Sequence, residues 1–124
     1  MSLPNVNGDN ITIDFSESEQ TLIYFIAPWC TVCHFSMSNI NWLDRFRGDD
    51  EAIYVIALSY DKVDEIAAFQ AEHELTMPLL LGSPVVQSQF QVDAFPTYYV
   101  VDRQGRVRAK DRGYTTFLGL ALRF

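Results

Sequence analysis

The residues best suited to chemistry are the only two cysteines, Cys30 and Cys33, which are separated by two residues and followed by His34. A disulfide between them would close a very short loop and add little stability, because the entropic gain grows with loop length. A structural zinc site would need four ligands, and His34 and His73 are the only histidines. The C-x-x-C spacing therefore predicts either thiol–disulfide redox chemistry or covalent attachment of a haem.

The pentapeptide C-x-x-C-H is also the signature of c-type haem, in which the histidine binds the iron. Small c-type cytochromes are helical, and their iron needs a second axial ligand. The candidates here are Met37, Met77 and His73, and none of them lies in a segment patterned for a haem site. The pentapeptide alone leaves both interpretations open, so the surrounding elements must decide between them.

The elements around the cysteine pair alternate between strand and helix. Residues 21–27 and 52–59 are almost entirely apolar, β-branched and aromatic, which is typical of strands buried on both faces. Further strands are predicted over 11–15, 77–81, 97–101 and 106–112, the last two forming a hairpin around a turn at 102–105.

Four helices are predicted between these strands and at the end of the chain. The first begins at Thr31 and stops before Gly48, with Phe35, Ile40, Leu43 and Phe46 recurring at helical spacing. The other three are predicted over 63–73 with Asp61 as its cap, over 85–90 after Ser83-Pro84, and over 115–124.

This order, β-β-α-β-α-β-α-β-β-α, predicts a single α/β domain over residues 1–124. The two long strands are joined through a helix and should be parallel, with a right-handed crossover. The C-x-x-C pair follows a buried strand and opens a helix, which is the context of a redox motif and not of a cytochrome.

Composition and charge exclude several classes of protein. The chain has 124 residues, with 9 basic and 16 acidic side chains and a net charge of −7, so nucleic acid is not expected as a partner. No apolar run reaches the ~18 residues that span a bilayer, and no signal peptide is recognisable. Met1-Ser2-Leu3 is typical of a cloning remnant, so an anchoring segment before Pro4 is expected to have been removed.

Two longer segments carry a family resemblance: Phe25 to Cys33 (FIAPWCTVC) and Val92 to Asp102 (VDAFPTYYVVD). With them the chain resembles thioredoxin-fold proteins of the periplasmic, membrane-anchored TlpA-like branch. Residues 113–119 are similar to the end of the suppressor-of-copper-sensitivity D type. The resemblance implies a three-layer sandwich with a mixed central sheet and flanking helices.

The resemblance also implies an activity, a location and partners. The expected activity is that of a periplasmic thiol–disulfide reductase, membrane-anchored in the natural protein. The expected partners are protein thiol or disulfide substrates and an upstream redox protein. No metal or organic cofactor is expected, because the Cys30–Cys33 pair itself carries the electrons.

Roles follow for the residues of the two segments. Cys30 should lie at a helix N-terminus, which favours the thiolate, and is predicted to be the nucleophile. Cys33 is predicted to be the more buried, resolving cysteine. Trp29 is expected to flank the sulfur and to present an apolar surface to partners. The resemblance implies a cis peptide bond at Pro96 and a substrate-pairing backbone at Phe95.

His34 has two interpretations, either a residue that modulates the thiolate or a solvated helix position. A second class of function, Cu(I) binding by the two thiolates and His34, also remains open. His73 is expected at the surface. Trp42 and the Tyr98-Tyr99 pair are expected in the core and sheet packing.

The sequence departs from the family pattern at three places near the cysteines. Tyr24 stands where thioredoxins have a buried Asp, and Ser36 stands where some TlpA-like reductases have a Glu. Thr31-Val32 replaces the usual Gly-Pro between the cysteines. The usual proton acceptor for the second thiol is therefore not identifiable from the sequence.

Overall fold

The computed structural model describes residues 1–113, which contain a five-stranded mixed sheet, a separate small hairpin and three α-helices. The strands are β1 (Ser2–Pro4), β2 (Asn10–Thr12), β3 (Gln20–Ile26), β4 (Glu51–Ala57), β5 (Leu79–Leu81), β6 (Thr97–Asp102) and β7 (Val107–Arg112). The helices are α1 (Thr31–Phe46), α2 (Val63–His73) and α3 (Pro84–Gln89). The helix predicted over 115–124 lies outside the described residues.

The main sheet has the strand order β5-β4-β3-β6-β7. Strands β3, β4 and β5 are parallel, while β6 is antiparallel to β3 and forms a hairpin with β7. The predicted parallel pairing of the two long strands and the final hairpin are both confirmed. The central strand β3 has neighbours on both sides and is buried along almost its whole length. The cysteine pair follows shortly after the carboxyl end of this strand.

Two apolar clusters cover the two faces of this sheet. On one face, α1 and α2 pack through residues such as Met37, Ile40 and Phe69 against side chains of β3 and β4. On the other face, Val86 of α3 and Leu3 of β1 pack against the alternate side chains of the same strands. The arrangement is the predicted sandwich of helices around a mixed sheet. Within residues 1–113, no helix is long and apolar enough to cross a bilayer.

Helix α1 does not bury the face that the apolar spacing predicted. Ile40 and Leu43 are buried, whereas Phe35 and Phe46 are exposed. Trp42, expected in the core, is also exposed and stacks on Phe46. The cause is that Cys33, Ser36 and Met37 lie on the same side of the helix as Ile40 and Leu43 and occupy the inner face with them.

The N-terminal part of the chain differs from the prediction. The segment 11–15 is not one strand of the main sheet; β2 covers only its first part and pairs with β1, which was not predicted. Asp14 then accepts a hydrogen bond from the Ser16 amide and starts a 3-10 turn at Phe15–Glu17. Asn5 forms an isolated bridge with Leu80, so this hairpin lies beside the β5 edge of the sheet.

The structure also corrects the predicted N-cap residue of α2. Lys62, not Asp61, is the residue at the cap position. The carboxylate of Glu65 accepts hydrogen bonds from the backbone N–H groups of Asp61 and Lys62, at 3.2 and 3.0 Å. An acid in the first turn thus reaches back to the backbone donors at the cap and just before it, which is the N3 half of a capping box. At α3 the predicted cap is confirmed, because Ser83 Oγ accepts from the Val86 amide at 3.3 Å.

Candidate active site

The cysteine pair lies where the chain turns from β3 into α1. Cys30 is the N-cap residue of α1, and its Sγ accepts a hydrogen bond from the Cys33 amide at 3.2 Å. Both cysteines are free thiols. The free N–H groups of a helix N-terminus point toward this sulfur and favour negative charge on it. The position of Cys30 therefore suits a nucleophilic thiolate.

The two sulfurs differ in their surroundings. Cys33 is fully buried, and Cys30 retains 7% exposure, so Cys33 is the more buried cysteine, as predicted. Burial raises the pKa of the Cys33 thiol, and the neighbouring Cys30 raises it further. Cys33 is therefore held as a neutral thiol at neutral pH, which suits a group that reacts second.

The loop before β6 lies against the nucleophile. The Phe95–Pro96 peptide bond is cis, and Pro96 is buried. The Cys30 thiol donates to the Phe95 carbonyl oxygen, with an S···O distance of 3.6 Å. The backbone of Phe95 is therefore at the sulfur, while its ring packs partly against both apolar clusters. The ring is thus half in the core, and the pairing of the Phe95 backbone with a substrate stays a prediction.

Trp29 forms one wall of the site. Its side chain is 64% exposed, so it is not a core tryptophan. The indole N–H donates to the Ser59 carbonyl at 2.8 Å, and the ring meets Phe95 edge-on at 5.7 Å between centroids. The indole is therefore fixed in orientation while one face remains open to solvent. Such a flat, exposed apolar surface beside a reactive sulfur is suited to contact with a polypeptide.

Two hydroxyl-bearing side chains lie beneath the cysteines. Ser36 is buried and donates to the Cys33 carbonyl at 2.9 Å. Tyr24 is fully buried and stacks on Tyr98, and its hydroxyl has no hydrogen-bond partner among the described residues. Burial raises the pKa of Tyr24; the Ser36 hydroxyl, which lies near the phenol without the geometry of a hydrogen bond and donates instead to Cys33, opposes the shift. Both positions where the family has acids thus carry neutral groups. Tyr99 is buried with Tyr98, as predicted.

His34 does not turn toward the sulfurs. Its Nε2 lies 2.8 Å from the Pro28 carbonyl oxygen, and its Nδ1 lies 2.9 Å from Glu72 and 2.7 Å from His73. These contacts do not orient His34 to bind Cu(I) together with the two thiolates. The candidate axial ligands for haem, Met37 and Met77, are buried in the core.

His73 is partly buried, contrary to its expected place at the surface, with a side chain that is 16% exposed. Burial lowers the pKa of His73, the neighbouring His34 lowers it further, and Glu72 opposes the shift. The grouping of His34, Glu72 and His73 was missed by the sequence analysis. Nearly forty positions separate His34 from the other two, and only the packing of α2 on α1 brings them together.

Fold and site together define a thioredoxin-like protein with a dithiol at a helix N-terminus. The model of the AhpC/TSA family matches residues 1–110, and the chain belongs to that family. Similar curated proteins include thioredoxin-like protein YneN of Bacillus subtilis, 24% identical over 86% of this chain, and thiol-disulfide oxidoreductase YkuV of the same organism, 28% identical over 83%. Methylamine utilization protein MauD of Paracoccus versutus is 32% identical over 87% of this chain.

The chain spans 64% of the length of YneN, 53% of MauD and 73% of YkuV. Among solved structures, StoA from Bacillus subtilis superimposes with a TM-score of 0.87 at 19% identity, covering 99% of this chain and 94% of that one. The exposed lipoprotein thioredoxin Etrx1 of Streptococcus pneumoniae gives 0.85 at 16% identity, covering 98% and 95%. The fold is thus thioredoxin-like, and the relatives of the chain include a protein named thiol-disulfide oxidoreductase.

Proposed function

We propose that this protein reduces disulfides in protein substrates outside the cytoplasm, with Cys30 as the attacking and Cys33 as the resolving cysteine. The observation that carries the assignment is the contrast between the two sulfurs. Cys30 caps α1 and borders the exposed Trp29, whereas Cys33 is fully buried and held neutral. Only a thiolate attacks a disulfide, and attack requires access to the sulfur.

The reaction moves two electrons and two protons to the substrate. The Cys30 thiolate attacks one sulfur of a substrate disulfide, forming a mixed disulfide and releasing the other substrate sulfur as a thiolate, which takes up a proton. Cys33 then loses its proton and attacks Cys30 Sγ, which releases the second substrate thiol. The protein is left with a Cys30–Cys33 disulfide, and a dithiol redox partner must reduce it again.

Trp29, Phe95 and Pro96 are proposed to bind the substrate. The exposed indole face offers apolar contact on one side of Cys30. On the other side, the Phe95 backbone lies within reach of the sulfur, where an extended substrate segment could pair with it. Backbone pairing does not depend on side-chain identity, so this arrangement suits unrelated polypeptides.

An extracytoplasmic location is part of the proposal. It is supported by the resemblance to the periplasmic TlpA-like branch and by the similarity to a pneumococcal lipoprotein described as exposed. The same resemblance supports a membrane anchor in the natural protein. Fractionation of the native host tests the location, and recovery from the cytoplasmic fraction would contradict it.

The division of labour between the cysteines is tested by trapping. Cys33→Ala should accumulate a mixed disulfide through Cys30 with a disulfide-containing substrate such as insulin, because the internal thiol that releases it is absent. Cys30→Ala is the matched control and should trap far less, since its remaining thiol is buried. The readout is a non-reducing gel after quenching with an alkylating agent. Equal trapping by both variants would show that the roles are wrong.

Turnover tests the direction and the competing copper hypothesis. Wild-type protein supplied with a dithiol reductant should accelerate insulin reduction, and both alanine variants should not. Tight stoichiometric Cu(I) binding without any turnover would instead favour a metal-binding protein.

A further inference from the structure

Three side chains with metal-binding atoms converge where the first turn of α1 meets the last turn of α2. His34 Nδ1 lies 2.7 Å from His73 Nε2 and 2.9 Å from Glu72 Oε2. His73 Nε2 and Glu72 Oε2 are 3.0 Å apart, which closes a triangle of three ligand atoms. The ring of Phe69 packs against both imidazoles, at 4.7 and 4.6 Å between centroids, and forms an apolar floor below them.

The hydrogen bond on the other side of His34 fixes which nitrogen carries its proton. The Pro28 carbonyl can only accept, so His34 Nε2 must donate to it across 2.8 Å. In a neutral His34, the lone pair of Nδ1 then faces Glu72 and His73. The contact between His34 Nδ1 and Glu72 Oε2 therefore joins two acceptors, and a positive ion inside the triangle would satisfy both.

We propose that His34 Nδ1, His73 Nε2 and Glu72 Oε2 form a binding site for a first-row divalent cation of the zinc class. Two imidazoles and one carboxylate, with water in the remaining position, are a recurrent ligand set for zinc. The Glu72 side chain is 62% exposed, which leaves the open side of the site accessible to water. This inference goes beyond the proposed redox function and does not rest on it.

The distances fit such an ion after a small adjustment. Nitrogen and oxygen ligands lie about 2.0–2.2 Å from zinc, so tetrahedral ligand atoms are roughly 3.3 Å apart. The three atoms here are 2.7 to 3.0 Å apart and need to separate by only a few tenths of an ångström. The exposed Glu72 side chain can supply most of that movement.

Groups around the ligands hold them in orientation, as is usual at metal sites. The Nε2–H of His34 is bound to the Pro28 carbonyl, and a carbonyl acceptor behind a ligating histidine is typical of such sites. The backbone at His73 is tied to α1, because Asn41 Nδ2 donates to the His73 carbonyl at 2.9 Å. The two helices are thus linked directly at the proposed site.

Zinc binding to the oxidised protein is the direct test, because cysteines joined in a disulfide cannot serve as ligands. Competition with a chromophoric zinc chelator should show one zinc bound per chain. Glu72→Gln and His73→Gln should each weaken binding by about tenfold or more. Glu74→Gln is the matched control, because it removes the same charge from an exposed side chain two residues away, and its affinity should remain close to that of the wild type.

Cobalt(II) gives a second readout, since its visible absorption reports nitrogen and oxygen ligands in a tetrahedral site. In the competing arrangement, a proton on His34 Nδ1 takes the place of the metal ion and the resulting imidazolium pairs with Glu72. A protein in that arrangement would bind no zinc. The proposal is overturned if the oxidised protein shows no saturable zinc binding. It is overturned equally if the Glu72 and His73 variants bind as tightly as the Glu74 control. Neither result would affect the insulin assay, so the two proposals fail separately.

Discussion

At the scale of single residues, the hydroxyl of Tyr24 is the feature that most needs explanation. It lies fully buried beneath the cysteine pair, and it has no partner among residues 1–113. A buried hydroxyl that loses its hydrogen bonds to water without replacement costs free energy. The aromatic ring, by contrast, is well accommodated, because it stacks on Tyr98 with planes only 8° apart.

Tyr24→Phe is therefore expected to raise the free energy of unfolding by roughly 1 kcal/mol, because it removes the buried hydroxyl and keeps the ring. Urea unfolding of the reduced variant and of the wild type measures the difference.

Tyr99→Phe is the matched control for this prediction. The Tyr99 hydroxyl donates to the Phe90 carbonyl, so its removal leaves an acceptor without its partner. This change should lower the free energy of unfolding by about 1 kcal/mol. A loss of similar size for Tyr24→Phe would mean that the Tyr24 hydroxyl does have a partner.

The residues of the candidate site differ in whether neighbouring residues in the sequence could reveal their role. Cys30, Cys33 and Trp29 occur together in one short segment, so their grouping could be predicted from spacing alone. Pro96 was linked to them only through the family resemblance. The contact of Glu72 with His34 carries no sequence signal, because it depends on how two helices pack.

At the scale of elements, the connection after β5 shows why a glycine is required at position 82. The Gly82 amide donates to the Ala57 carbonyl at 2.8 Å, which holds the chain close to the end of β4. A Cβ atom at this position would lie 2.5 Å from Leu58 Cδ2 and 2.9 Å from the Ala57 oxygen. Both distances are shorter than van der Waals contact, and the oxygen belongs to the backbone and cannot simply rotate away.

Gly82→Ala is accordingly expected to lower the free energy of unfolding by about 1–3 kcal/mol, as overpacking does. Thermal or urea unfolding provides the measurement.

Gly48→Ala serves as the comparison for the Gly82 variant. The nearest atom to a Cβ at position 48 is the flexible carboxylate oxygen of Glu51, at 3.3 Å. The change should therefore alter the free energy of unfolding by no more than about 0.5 kcal/mol. If the two variants lost the same stability, close packing around Gly82 could not be the cause.

The elements that could be predicted are those whose burial is complete. Strands β3 and β4 are apolar along most of their length because both faces are covered. Their continuous apolar sequences therefore predict buried strands. The face of α1 could not be predicted in the same way. The helical period places Phe35 about 140° away from Ile40 and puts Ser36 on the buried side, but a stripe that contains a serine gives only a weak apolar signal.

At the scale of the whole molecule, the buried Cys33 thiol links stability to pH. Burial raises the pKa of Cys33 in the folded protein, while an unfolded thiol titrates near about 8.5. Below that pH the thiol is protonated in both states and its contribution to stability is complete. Above it, the unfolded chain loses the proton and the folded chain keeps it, so stability falls as the pH rises.

Reduced wild-type protein should therefore lose stability relative to Cys33→Ala above a pH of about 8.5. The expected loss is about 1.4 kcal/mol per pH unit as long as the folded thiol stays protonated. Urea unfolding of both proteins under reducing conditions, at about pH 7.5 and about pH 9.5, measures the gap between them. A gap that does not change with pH would show that Cys33 titrates as an ordinary thiol.

The position of the β1–β2 hairpin has a consequence for self-association. Strand edges with free backbone groups are templates on which other chains can add. At one edge of the sheet, β7 is protected by charge, since Arg108, Lys110 and Arg112 alternate along it. At the other edge, β5 consists of three buried leucines with no charge, and the bridge from Asn5 to Leu80 closes it. The β1–β2 hairpin thus occupies part of an apolar edge that would otherwise be open to a second chain.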